Sequence, residues 1–222
     1  MRVTINQPVP FGPTYLFNRI LSSDLNINMG SAQYVRRTNH SFYEIVLNDS
    51  VHRLIIPVKH VGKQELELNE CEMDMSHNWV RKHLATIKMA YGKAPFFSEV
   101  FPIVEANLGR GSSLGESAFF SMSDVFSYLN AKTNTTNDYT LAPKLLERPS
   151  DWILSLCLAA GATEYFCGEW ALKNYLRVEY FTEKGIAVTH QNWSPKAGIK
   201  PCLSILDALF RYGRGALEYI QS

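Results

Sequence analysis

No run of about eighteen apolar residues occurs anywhere in the chain, so the sequence offers no ordinary membrane-spanning helix. The opening Met1-Arg2-Val3-Thr4-Ile5-Asn6-Gln7-Pro8 also lacks the apolar core of a secretory signal, and the expected location is the cytoplasm without membrane insertion. An excess of either charge is missing too. Lysine plus arginine number 22 against 21 aspartate plus glutamate, which gives no whole-molecule field to draw in nucleic acid or anionic lipid. Any anion site must be local, and Arg36 with Arg37, Lys59 with His60 and Lys63, and Arg81 with Lys82 and His83 are the concentrations available.

The four cysteines, Cys71, Cys157, Cys167 and Cys202, show neither Cys-x-x-Cys spacing nor a histidine at zinc-finger distance, and they read as reduced, mostly buried thiols. Gly-x-Ser-x-Gly and His-Glu-x-x-His are absent, which removes the usual sequence support for common hydrolases and metalloproteases. The glycine cluster Gly109-Arg110-Gly111-Ser112-Ser113-Leu114-Gly115 is followed by Glu116 where a phosphate loop needs lysine, so it reads as a flexible turn.

What is present suits a packed domain. Hydrophobic residues make up 46% and charged residues 19%, too apolar a balance for a disordered chain. Extended segments come early: Val3 to Ile5, the alternation Leu25, Ile27, Met29, then Phe42 to Leu47 and His52 to Val58, joined across Asn48-Asp49-Ser50 as a hairpin. A helix is expected around Tyr15 to Leu21.

Helices dominate from Ser76 on. Val80, Leu84, Ile87 and Tyr91 form one buried stripe ended by Gly92. Ser98 caps a short helix near Pro102, and Ser121 with Asp124 makes a capping-box variant. The polar segment from Lys132 to Tyr139 reads as a mobile loop. Helices follow from Ser150 to Gly161 and from Glu169 to Glu183, a strand from Ile186 to Thr189, and a last helix capped by Ser204 and Asp207. The pattern predicts a mixed α+β single domain over 1–222, with early strands and a hairpin and a helical C-terminal two thirds, rather than a regularly alternating doubly wound fold.

His83 lies beside the predicted stripe, where a neutral imidazole, kept so by Arg81 and Lys82, is placed to accept a proton. The competing reading is a partly buried histidine bonding a backbone carbonyl.

Five blocks in order resemble the WbqC-like family of bacterial surface-polysaccharide gene clusters. They are Ile5-Asn6-Gln7-Pro8 with Pro10 and Tyr15; Ser23-Asp24 with Gln33-Tyr34 and Arg36-Arg37; and His77 to His83 with Tyr91-Gly92-Lys93-Ala94-Pro95. Gly161 to Tyr165 with Gly168 and Tyr175-Leu176 comes next, then Leu203 to Phe210 closed by Gly213. The chain departs from the family at Gly30-Ser31, where an aspartate pair is usual, and at Asn39-His40, where asparagine-arginine is.

The resemblance implies transfer of an amino acid, glycine foremost, onto an activated sugar. The mechanism is not given by the family; added to its helix position, the resemblance makes His83 the leading base, with Asp24 as its orienting carboxylate. Gln7, Gln33, Arg37, Asn39, Lys93 and Asp207 are the implied polar contacts, and Tyr15, Tyr34, Tyr91 and Tyr165 the implied walls of the substrate site. Gln7, Asp24, Gln33, Arg37 and His83 should then converge. The partners implied are a small amino acid and a nucleotide-linked or lipid-linked sugar; no cofactor or metal is indicated. A hypermodified nucleobase of phage DNA is the alternative acceptor, disfavoured by the near-neutral charge, and a non-catalytic binding module is the third reading.

Overall fold

In a computed structural model, which describes residues 1–59, 66–144, 148–195 and 198–221, the chain is α+β, as its pattern predicts. In order it forms β1 (Arg2–Asn6), α1 (Thr14–Leu21), β2 (Leu25–Asn28), β3 (Phe42–Leu47) and β4 (Ser50–Ile55). The helices α2 (Trp79–Tyr91), α3 (Phe97–Asn107) and α4 (Leu114–Leu129) follow, then β5 (Asn134–Asn137), α5 (Pro149–Ala159), β6 (Glu164–Cys167), α6 (Glu169–Asn174), α7 (Val178–Glu183), β7 (Ala187–His190), α8 (Ile205–Tyr212) and α9 (Ala216–Gln221). These divide into two compact units. The first comprises Met1–Gln7, Asn18–Ser31 and Lys132–Ser194; the second comprises Pro8–Phe17, Ala32–Ala131 and Pro195–Ser222.

The first unit is a five-stranded, all-parallel sheet in the order β5-β2-β1-β6-β7. Counted along the chain, its strands run third, second, first, fourth, fifth, the order of a doubly wound sheet. Side chains alternate between its faces. Val3, Ile5, Ile27, Tyr165 and Cys167 bury one face, with Phe181 of α7 stacked on Tyr165 at 5.6 Å between ring centres. The other face is polar and still buried, carrying Thr4, Asn6, Asn26 and Asn28. The second unit packs the β3–β4 hairpin with α2, α3, α4 and α8. Asn48 and Asp49 both adopt left-handed backbone in the hairpin turn, the twist a two-residue connection needs.

Several local expectations change. The supposed loop from Lys132 to Tyr139 contains β5, which pairs with β2 along its length. A strand of Asn-Thr-Thr-Asn carries no apolar alternation; on the polar face its Thr135 and Asn137 stand beside Asn26 and Asn28 of β2. β6 is a strand the pattern did not suggest. Helix α4 starts at Leu114, capped by Ser113 accepting from Glu116 N at 3.2 Å. Ser121 is therefore internal and returns its hydroxyl to Ala118 O. Helix α3 starts at Phe97 with no side-chain cap and contains Pro102. The helix expected from Glu169 to Glu183 is broken into α6 and α7.

On α2 the buried residues are Trp79, His83, Ile87 and Tyr91, so the stripe is turned by one position from Val80 and Leu84 and His83 stands in its middle. The glycine turn places Gly109 and Gly111 in left-handed backbone, and the Glu116 carboxylate accepts from Ser112 N at 2.7 Å, occupying with its own charge the helix start that an anion would need. His60 and Lys63 lie outside the described residues, among which no helix is long and apolar enough to cross a membrane.

Cys71, Cys157, Cys167 and Cys202 are all free thiols, and burial pushes Cys71 up to about 11 and Cys157 up to about 12. Denatured, unreduced protein should therefore titrate four thiols. Fewer than four would show that a bridge or a bound metal forms in solution.

Candidate functional site

In open parallel sheets a ligand is held outside the carboxyl ends of the strands, at the point where the strand order reverses. In the first unit that point lies between β1 and β6. The residues around it are polar and interlocked. Arg19, in the last turn of α1, donates from Nε at 3.0 Å and from Nη2 at 2.6 Å to Asn6 Oδ1, at the carboxyl end of β1. Its Nη1 reaches Gln191 Oε1 at 3.4 Å, just after β7, and Gln191 Nε2 donates to Asn18 Oδ1 at 2.5 Å.

Gly168 follows β6 directly, and a Cβ placed there would meet Arg19 Nη1 at 2.5 Å. Glycine is what allows the guanidinium to lie against that backbone. The network continues across the polar face: Asn6 Nδ2 donates to Asn26 Oδ1, and Asn26 Nδ2 to Asn28 Oδ1, each at 2.9 Å. Beyond β5, Asp138 Oδ2 accepts from Ser31 N at 3.2 Å. Burial raises the Asp138 carboxyl against the lowering effect of its donors from Ser31, Tyr139 and Gly30.

The site residues proposed from the sequence fall on both units. In the first, Gln7 is exposed just past the carboxyl end of β1, whereas Asp24 precedes β2 and accepts from Arg2 N at 2.7 Å. Since β1 and β2 run parallel in register, Gln7 and Asp24 stand at opposite ends of the sheet, roughly 15 Å apart at about 3.3 Å per residue. They do not converge. Tyr165 is a core residue beneath the sheet.

In the second unit, Tyr15 and Asn39 do come together. With Pro13, Phe42, Tyr43, Glu44, Arg53, Cys202 and Ser204 they line a cavity of about 200 Å³. Arg53 lies over the Phe42 ring at 3.8 Å and pairs with Glu44 at 2.7 Å. Tyr34 shares a hydrogen bond with Ser41 Oγ at 3.1 Å. Gln33, Arg37 and Lys93 are exposed, Gln33 bridging to Glu67. Asp207 does not cap its helix: buried, it accepts from Tyr91 Oη at 3.0 Å and pairs with Arg211 Nε at 3.1 Å.

His83 is 5% exposed. Its Nδ1 shares a hydrogen bond with Tyr43 Oη at 3.0 Å, and its ring sits edge-on to Trp79 and Tyr43. Burial lowers its pKa to about 4, against the raising effect of the Ile55 backbone. The imidazole is neutral, as the sequence led us to expect, but the cause is desolvation: Arg81 and Lys82 are exposed.

Arg19, Asn6, Asn26 and Asn28 were missed because each is an ordinary residue taken alone. The available signal was the pair of triplets Thr4-Ile5-Asn6 and Asn26-Ile27-Asn28, in which two predicted strands place polar side chains at the same alternate positions.

Comparison with known proteins agrees with the resemblance in the sequence. An uncharacterized protein of Mycobacterium tuberculosis, Rv1507c, is 28% identical over 221 residues, covering 92% of this chain and 91% of that protein. The WbqC-like protein family matches residues 7–219, segments of both units included. The chain belongs to the WbqC-like protein family.

Proposed function

We propose that this protein transfers an amino acid, glycine foremost, onto a nucleotide-linked sugar bound at the carboxyl end of the parallel sheet. One observation carries the sugar half of this reading: the β1–β6 reversal point of a doubly wound sheet is bordered by Arg19, Asn6, Asn18, Gln191 and a glycine that admits the guanidinium. That is where such sheets bind nucleotides, and arginine suits their phosphates. The amino-acid half rests on family membership, through the role the resemblance implies.

The transfer needs a base for the attacking sugar amine or hydroxyl and donors for the oxyanion on the amino-acid carbonyl. Neither His83, buried behind Tyr43, nor Asp24, at the amino end of the sheet, has geometry that supports the part of base.

Thermal unfolding with UDP-glucose, dTDP-glucose and GDP-mannose tests the reading. A ligand at a hundred times its Kd adds about 2.7 kcal/mol, which for a chain of this size raises Tm by roughly 5–10 °C. No shift with any of the three, together with a low-salt gel shift on duplex DNA, would replace it with the nucleobase reading.

A further inference from the structure

The hydrogen bonds from Arg19 through Asn6 and Asn26 to Asn28 have a direction, and Arg19 sets it. A guanidinium has donors only, so Nε and Nη2 compel Asn6 to turn its oxygen toward them. Asn6 Nδ2 then faces away and donates to Asn26 Oδ1, and by the same logic Asn26 Nδ2 donates to Asn28 Oδ1. The row ends on Asn28 Nδ2, a donor without a partner among the described residues although Asn28 is only 3% exposed. Amides aligned head to tail polarise one another, which strengthens that last N–H.

A second orphan of opposite polarity lies at the same end of the sheet. Asn28 is in register with Asn137 on β5, and the next residue, Asp138, is 1% exposed with Oδ1 unpartnered among the described residues. The bond from Ser31 N to Asp138 Oδ2 ties the chain after β2 to the residue after β5. Each buried orphan is costly to leave unmet. A hydroxyl answers both, because it accepts and donates at once; a phosphate ester anion does not donate and an ammonium does not accept.

We propose that Asn28 Nδ2 and Asp138 Oδ1 form a hydroxyl-recognition subsite, in which a sugar hydroxyl of the ligand accepts from Asn28 and donates to Asp138. The assignment rests on the nucleotide-sugar reading above and adds which strands, β2 and β5, hold the hydroxyl-bearing part.

Asp138→Asn and Asn28→Asp test it, the latter keeping Oδ1 to accept from Asn26 while replacing only the orphan donor. Binding of UDP-glucose, dTDP-glucose and GDP-mannose is measured by calorimetry, and Tm is measured without ligand. Both variants should weaken the nucleotide sugar that wild type binds by at least tenfold, and Asp138→Asn should raise the unliganded Tm, since it removes a buried charge that no cation among the described residues pairs and keeps an amide oxygen for Ser31 N. Undiminished binding in both variants, or a lower unliganded Tm for Asp138→Asn, would overturn the subsite and leave the nucleotide-sugar reading standing. If wild type binds none of the three, the subsite and the reading it rests on fall together.

Discussion

Acidification from pH 6.5 to 4 should strip several kcal/mol of stability from this protein, and His83→Gln should flatten much of that loss. His83 and His40 are both buried, and burial lowers each from 6.5 to about 4. Between those values the unfolded chain binds protons that the folded chain refuses. The stabilisation is thus fully present above 6.5 and is lost as pH falls toward 4. At 1.36 kcal/mol per unit the two histidines contribute roughly 3 kcal/mol apiece as an upper bound. Asp138 acts in the opposite sense, because its raised carboxyl favours the fold once it is protonated, offsetting part of the loss at the acid end. Urea unfolding at pH 7, 5.5 and 4.5 on wild type, His83→Gln and His40→Gln measures each share. At pH 7, His83→Gln should itself cost about 1–3 kcal/mol, since Tyr43 loses its partner inside an aromatic cluster. Turnover per folded molecule should not change. A fall of about a hundredfold with an unaltered Tm would instead make His83 a general base.

Arg19→Met should destabilise the first unit by about 2–4 kcal/mol and abolish nucleotide-sugar binding. The substitution keeps the apolar stem but removes both donors to Asn6 Oδ1, an acceptor on a side chain that is otherwise buried. Losing a charged donor to a buried acceptor costs about 1.5–3 kcal/mol, and the freed asparagine no longer holds Asn26 and Asn28 in one orientation. Arg19→Lys should recover only part of both effects, because an ammonium cannot present the two-pronged donor that the guanidinium does. Chemical unfolding and ligand-induced Tm shifts on the two variants read this out. An Arg19→Met protein within about 0.5 kcal/mol of wild type would show that the asparagine row needs no anchor.

The elements legible in the sequence are those whose apolar period matches their burial. β1, β2 and the hairpin showed alternation or a turn signal, and α5 and α8 showed caps or stripes. β5 was illegible because Thr135 and Asn137 pair with Asn26 and Asn28 on a polar face, so hydrophobicity carries no information there. The doubly wound order was hidden for a different reason: the longest segment of the second unit, Ala32–Ala131, lies between β2 and β5, which removes any regular alternation of strand and helix. On the candidate site, the family resemblance pointed to Gln7, just past the carboxyl end of β1, but no spacing along the chain reports that Arg19 and Asn6 meet across the first βα unit. Asp207 was misread for a related reason. Its position three residues after Ser204 fits a capping box, while Tyr91, its actual partner, lies 116 residues away.

The pairing of β1 with β6 joins Arg2 and Val3 to Glu164 and Tyr165. On the ribosome these partners are made far apart in time. At about 5–20 residues per second, one edge of β1 waits roughly 10–30 s for its neighbour to emerge, while β2 has long been available on the other side. For that interval the nascent chain carries an open strand edge, apolar on one face, of the kind that recruits unrelated strands. Yield in a cell should accordingly depend on holding chaperones and on growth temperature more than the stability of the finished fold would suggest.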